Sequence, residues 1–138
     1  MEKTGSCLCG DTKYSVDGSV VGEFICHCSD CKKQTASAFS VVAGFPADTF
    51  KWLNKDHVKQ YVTHGDSGGD VKRFFCGKCG SPLFSDADVT PGVFWVKIGT
   101  LDDPSWVEPG IEVYAKDKIK CGESGLNLES HEILPPNM

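Results

Sequence analysis

The sequence contains no apolar run of the ~20 residues that a membrane-spanning helix needs, which excludes a bilayer span of that kind. It has no basic excess either: 14 Lys and Arg stand against 19 Asp and Glu, for a formal charge of −5. A chain without a basic face is poorly suited to holding nucleic acid through its phosphates. Absent too is any sustained i, i+3, i+4, i+7 apolar stripe, which argues against a helical bundle. The opening stretch, Met1-Glu2-Lys3-Thr4-Gly5-Ser6, lacks the apolar segment of a secretory signal. The expectation is a cytoplasmic protein, in a compartment where cysteines persist as thiols.

Cysteine is what the sequence has in quantity. Seven of its eight cysteines fall into three clusters: Cys7-Leu8-Cys9, Cys26-His27-Cys28-Ser29-Asp30-Cys31 and Cys76-Gly77-Lys78-Cys79-Gly80. Disulfides explain them badly. A bridge wants Cα atoms about 4.4–6.8 Å apart, so a Cys-x-Cys pair bridges only with strain, and a triplet always leaves one sulfur over. Metal explains them better. Two pairs make four thiolates, which close a tetrahedral zinc site; three thiolates leave one position for a water or a substrate. The chain therefore reads as a carrier of two zinc ions, one structural and one open and reactive. Four thiolates around Zn²⁺ contribute −2 and three contribute −1, which takes the loaded chain from −5 to about −8.

The local geometry can be anticipated. Residues i and i+2 of a strand face the same side, so Cys7 and Cys9 can aim two sulfurs at one point from extended chain, and Cys26 and Cys28 can do likewise. Cys76-Gly77-Lys78-Cys79-Gly80 reads as a tight metal knuckle, with Gly80 supplying the φ > 0 backbone such turns need. A metal shared by the two pairs would staple the N-terminus to a segment about 70 residues away, a contribution on the order of 10 kcal/mol. His27 should point away from the triplet's sulfurs and help to orient one of them. A fourth protein ligand for the triplet, from Cys121, His57, His64 or His131, stays open on the residues alone. An open three-thiolate zinc is a weak Lewis acid but holds an incoming thiol as thiolate, which points to chemistry at a carbon–sulfur bond. Lys32 and Lys33, next along the chain, are candidates for binding an acidic substrate such as glutathione.

Short β-rich runs recur at residues 12–16, 23–27, 39–45, 58–63, 72–76, 83–85, 93–98 and 111–115, punctuated by Gly/Pro turns such as Thr90-Pro91-Gly92 and Glu108-Pro109-Gly110. This pattern predicts an all-β domain, a sandwich or an open barrel. One helical turn is expected over residues 29–35, capped by Ser29 or Asp30. The segment 65–70 reads as a hairpin loop, with a lid as the alternative. The length of 138 residues fits a single domain, 1–138, with a polar tail from 123.

Taken together, Gly5-Ser6-Cys7-Leu8-Cys9-Gly10, Cys26-His27-Cys28-Ser29-Asp30-Cys31 and Phe75-Cys76-Gly77-Lys78-Cys79-Gly80-Ser81 resemble the three signatures of the glutathione-dependent formaldehyde-activating enzymes, a family that also includes centromere protein V. Lys97-Ile98-Gly99-Thr100-Leu101-Asp102-Asp103 resembles the segment that follows. The resemblance implies a zinc-stabilised β-tent of small antiparallel sheets. It implies a structural zinc on Cys7, Cys9, Cys76 and Cys79 and a catalytic zinc on Cys26, Cys28 and Cys31, with Cys121 a free thiol. The reaction it implies is the joining or splitting of formaldehyde and glutathione as S-(hydroxymethyl)glutathione, the work of a carbon–sulfur lyase. The chain departs from the family pattern at Lys32-Lys33-Gln34-Thr35-Ala36, where an arginine and a Thr-Gly pair are usual. It also lacks the tryptophan expected near Lys116-Asp117-Lys118. The substrate is therefore left as a glutathione or other thiol adduct. Two other readings compete. One is a non-catalytic binding module with both metals structural. The other is a methionine sulfoxide reductase, disfavoured because one of the pairs is Cys-x-Cys.

Overall fold

β-Branched and aromatic residues in alternation favour pleated, half-buried strands, and strands dominate the computed structural model, which describes residues 2–65 and 68–136. In chain order they are β1 (Lys3–Ser6), β2 (Lys13–Val16), β3 (Gly22–Cys26), β4 (Ser40–Pro46), β5 (Phe50–Asn54), β6 (Val58–His64), β7 (Asp70–Cys76), β8 (Pro82–Ala87), β9 (Val93–Lys97), β10 (Ile111–Val113) and β11 (Glu129–Ser130). A single α-helix, α1 (Ser29–Thr35), follows β3. The all-β expectation is met. A three-stranded sheet of order β1-β2-β5 packs beside an eight-stranded sheet of order β11-β10-β3-β4-β9-β8-β7-β6. Pairing is antiparallel except at one edge, where β10 runs parallel to both β3 and β11. β1, β5 and β11 were not anticipated.

The two faces of the large sheet do different work, because side chains alternate along each strand. One face carries Ala43, Phe45, Phe84 and Val96 into a core completed by Tyr14 and Val16 of the small sheet. Phe84 stacks between Phe74 and Phe94, with ring centroids 4.5 and 4.4 Å away. Phe50 stacks on Tyr14 at 5.1 Å. The other face carries Phe24 and Cys26 on β3, Val42 on β4, Trp95 and Lys97 on β9, Ser85 and Ala87 on β8, and Val71 and Arg73 on β7, and these line a cavity. Gly44 lies opposite Trp95 in register; a Cβ there would come within 2.5 Å of the indole, so bare backbone seats the ring.

The helix matches its expected span but not its expected cap. Its N-cap is Cys28, whose Sγ accepts the Cys31 N–H, the bond that Ser or Asp usually provides. At the other end Ala36 sits in the left-handed region at φ 52°, a conformation that favours glycine. Asp66 and Ser67 lie outside the described residues, and with them the centre of the 65–70 segment read as hairpin loop or lid.

Candidate metal centre

Cys7, Cys9, Cys76 and Cys79 come together as expected, all four sulfurs lying within 4.8 Å of one another. Cys7 and Cys9 do so from a turn, because β1 ends at Ser6. The Gly10 N–H donates to the Cys7 carbonyl and Gly10 takes φ 83°. The Cys76–Gly80 knuckle repeats this arrangement: the Gly80 N–H donates to the Cys76 carbonyl and Gly80 also takes φ 83°. The Thr12 N–H donates to Cys7 Sγ at 3.3 Å, and Ser81 Oγ lies 3.3 Å from Cys79 Sγ. These partners divide the acidities. The Ser81 hydroxyl leads in drawing the Cys79 thiol down to about 5. The Asp11 N–H favours the Cys9 thiolate, but burial and proton sharing with Cys7 outweigh it and push Cys9 up to about 12. The donor set fits zinc. Zn–S bonds of about 2.3 Å put neighbouring sulfurs about 3.8 Å apart, and the Cys7–Cys9 and Cys9–Cys76 separations are 3.4 and 3.9 Å.

Cys26, Cys28 and Cys31 form the second cluster. Cys26 ends β3, Cys28 caps α1 and Cys31 comes from its first turn, so the pair was not presented by strand alternation as expected. Hydrogen bonds from Cys26 and then Cys28 hold Cys31 as the thiolate, helped by Lys97 and Arg73, and its acidity is far above normal. Cys26 is correspondingly pushed up by sharing protons with Cys28 and Cys31. Among the described residues no fourth His, Cys, Asp or Glu completes this cluster. Cys121 is exposed. His131 pairs with Glu129 and His57 with Asp11. His64 lines the same cavity but is hydrogen-bonded to Asp70 at 2.6 Å.

The three thiols open into a cavity of about 490 Å³. Two buried cations stand over them. Arg73 is 6 % exposed; its Nη1 lies 3.8 Å from Cys31 Sγ and donates to Gln34 Oε1 at 3.0 Å, while Nε donates to Thr63 Oγ1 at 3.0 Å. Lys97, also 6 % exposed, donates to Ser40 Oγ at 2.9 Å. Burial lowers the Lys97 pKa, against the pull of the Cys31 thiolate. Lys116 joins the lining from outside. The two lysines singled out from sequence lie elsewhere. Lys32 Nζ donates to the Asp117 carbonyl, and the exposed Lys33 lines a neighbouring groove of about 600 Å³ that Arg73 also borders. His27 is fully buried, and its Nε2 meets Glu112 Oε1 at 2.7 Å. Arg73, Lys97 and Trp95 were not placed at the site from sequence, because strand pairing, not sequence proximity, brings them to the cysteines.

A family model described as glutathione-dependent formaldehyde-activating enzyme matches residues 2–117. The chain belongs to that family. At the family level it is an enzyme related to glutathione and formaldehyde activation. Two similar proteins are described as candidate glutathione-dependent formaldehyde-activating enzymes. One, from Penicillium rubens, is 24 % identical, with 94 % of this chain and 75 % of the relative aligned. The other, from Talaromyces marneffei, is 26 % identical, with 94 % and 77 % aligned. The fold is shared with a crystal structure of a Rhodobacter sphaeroides protein at a TM-score of 0.61 and 19 % identity, covering 93 % of this chain and 98 % of that one. Among the described residues of this formaldehyde-activating-enzyme homologue, no helix is long and apolar enough to cross a membrane.

Proposed function

We propose that this protein is a zinc-dependent carbon–sulfur lyase or synthase acting on an adduct of glutathione or a similar thiol. The observation that carries the reading is a three-thiol cluster that faces a cavity, beneath two buried cations. When bound, zinc at Cys26, Cys28 and Cys31 supplies an electrophilic centre with a free position that favours the thiolate form of an entering thiol. The chain's own charges suit that guest. Three thiolates and a dication carry −1; Arg73 and Lys97 bring the group to +1, so one substrate thiolate makes it neutral. Burying an uncompensated charge would be costly.

Arg73 holds Cys31 deprotonated and anchors α1 through Gln34. Lys97, with one donor committed to Ser40, directs its remaining donors into the cavity, where they can steady an oxygen that gains charge as a carbonyl is attacked. In the forward direction the thiolate sulfur bonds to the carbonyl carbon, the C=O π pair moves to oxygen, and oxygen takes up the proton the thiol gave up. The reverse reaction splits the adduct. Lys116, exposed at the cavity and paired with Asp117 at 3.3 Å, could exchange that partner for a substrate carboxylate, with Lys33 lining the adjoining groove. Cys7, Cys9, Cys76 and Cys79 hold the other zinc as a structural staple. The free thiols suit a reducing compartment, the cytoplasm.

The test is metal content together with a thiol titration. Two zinc ions per chain are expected. In protein loaded with cobalt, glutathione should intensify the sulfur-to-metal absorption by adding a thiolate to one site only. A spectrum indifferent to glutathione would leave the non-catalytic alternative standing.

A further inference from the structure

The cavity at the triad is built for more than formaldehyde. That molecule has two heavy atoms, whereas the cavity of about 490 Å³ takes the arm of the thiol and still leaves apolar residues along its wall. Its lining is mixed in character. On the sheet face, Cys26, Lys97, Ser85 and Arg73 line it with polar groups. Cys26 pairs with Ser40 and Arg73 with Ser85 in register. One side-chain repeat further along each strand, the same face presents Phe24, Val42, Trp95, Ala87 and Val71. Phe24 pairs with Val42 and Val71 with Ala87, while Val42 also pairs with Lys97 and Trp95 with Ser85, so the apolar set runs obliquely across the middle strands. The direction is the same on all five strands, falling in number on β3, β9 and β7 and rising on β4 and β8, as antiparallel pairing requires.

An aromatic contact links two members of the apolar set. The Phe24 and Trp95 rings meet at 4.8 Å, and Trp95 Nε1 donates to Thr90 Oγ1 at 2.8 Å, tying the indole to the turn that carries Val89. Val113, in register with Cys26, and Leu134 add apolar lining beside Cys26 and Cys31. A glutathione peptide does not suit such a wall. It carries two carboxylates, an ammonium and two amides, each of which would lose water there without a partner. The charged groups lining the cavity away from these residues are Asp30, Asp117 and the exposed Lys116, which pairs with Asp117 at 3.3 Å. With sulfur at the triad, what remains to lie along the apolar band is the group on the carbon bonded to that sulfur.

We infer that the carbonyl partner is an aldehyde bearing an apolar chain or ring, and that the Phe24–Val42–Trp95–Ala87–Val71 band is its specificity site. This rests on the thiol-adduct reading above and deepens it. The step is an addition without change of oxidation state: a C–S bond forms, the C=O π bond opens, and the thiol's proton ends on oxygen, giving the hemithioacetal.

Two measurements on the zinc-loaded chain test it. In calorimetry with S-methyl-, S-butyl- and S-hexylglutathione, affinity should rise about fourfold per added methylene until the band is filled; equal affinities overturn the inference. Exchange NMR of glutathione with formaldehyde, butanal, hexanal and benzaldehyde should give kcat/KM at least about tenfold higher for the larger aldehydes. Ala87→Leu, and separately Val71→Phe, should shrink that ratio by crowding the band. Formaldehyde as the best substrate overturns the inference and leaves the thiol-adduct reading intact. Acceleration of no aldehyde overturns it as well, and the cobalt spectrum then separates the cases: a glutathione-dependent band means only this inference falls, and an inert spectrum means the underlying reading falls with it.

Discussion

Replacing Arg73 with methionine tests the electrostatic design of the triad. Methionine keeps the length of the side chain and fills its space, so the change removes charge and hydrogen bonds more than volume. Arg73 Nη1 lies 3.8 Å from Cys31 Sγ. Unit charges at about that distance attract by about 4 kcal/mol at an effective dielectric of 20, and a hydrogen bond to a charged group contributes about 1.5–3 kcal/mol net. Losing about 2 kcal/mol from the thiolate form of one ligand corresponds to roughly a thirtyfold weaker metal site, within the 10–100-fold range seen when partners of metal ligands are removed. The assay is zinc competition with a chromophoric chelator, followed in two phases. The triad phase should shift by that factor while the Cys7/Cys9/Cys76/Cys79 phase stays in place. Arg73→Lys should recover part of the loss, since it restores the charge without the fork that also engages Gln34 and Thr63. A triad affinity unchanged in Arg73→Met, or both phases moving together, would refute the reasoning.

Four further substitutions follow from the structure. Cys28→Ser keeps a helix-capping oxygen and should cost one zinc and the activity while circular dichroism and cooperative melting persist; Cys76→Ser removes a staple worth on the order of 10 kcal/mol, comparable with a whole domain's stability, and should leave little folded protein at 37 °C. Ala36→Gly relieves a left-handed alanine at φ 52° and should stabilise the chain by about 1 kcal/mol, read as a higher denaturant midpoint at an unchanged slope. Burial works against the ionised Glu112, but Lys118 at 3.0 Å and His27 at 2.7 Å outweigh it and hold its carboxyl below the usual 4.5; a carboxyl depressed in the native state stabilises above its unfolded pKa and loses that contribution as pH falls through the native one. Glu112→Gln should therefore be less stable than the parent at pH 7, with the two denaturation curves converging below about pH 4.5; a constant gap would show that Glu112 acts through packing.

The cysteine clusters were legible because their members sit within six residues of one another, and metal spacing is written locally. The span of α1 was legible for the same reason. Its cap was not, because thiols are rarely counted among capping groups, although the Cys28 sulfur accepts the Cys31 N–H as an oxygen would. The turn at Cys7-Leu8-Cys9-Gly10 was misread as strand because i, i+2 spacing serves both; Gly10, matching Gly80 in the other knuckle, was the overlooked sign. β1 was hidden by its composition, Lys-Thr-Gly-Ser. It is secured from outside, by Thr4 Oγ1 donating to Asp102 and by an isolated bridge from Gly5 to Leu101. The site's cations were the larger omission. Lys32 and Lys33 stood beside the triplet in sequence, but an α-helix turns successive side chains to different sides, and these two lead to Asp117 and to the neighbouring groove. Arg73 lies 42 residues from Cys31 and reaches it only because β7 and β9 bring Arg73 and Lys97 onto one sheet face.

That placement explains why the two sulfur clusters are provided with counter-charge so differently. The four-cysteine set lies at the domain's edge, with Cys9 exposed, and its neighbour Lys78 is itself exposed and paired to Asp11 at 2.6 Å. Water can screen the surplus −2 that a tetrathiolate zinc would carry beside the exposed Cys9, so no buried cation would be needed, and since Cys7 and Cys76 are part of the main core, loss of such a metal would first cost the fold. In the triad Cys26 and Cys31 are buried on the face away from that core and no member is exposed. Screening is weak there, and two cations with little exposure of their own do what solvent cannot. Ordering Arg73 and Lys97 inside a cavity costs desolvation that a closed structural site would have no reason to incur. It becomes reasonable if the local charge must return to neutral only when another anion arrives, which is the electrostatic signature of a site whose fourth ligand is its substrate.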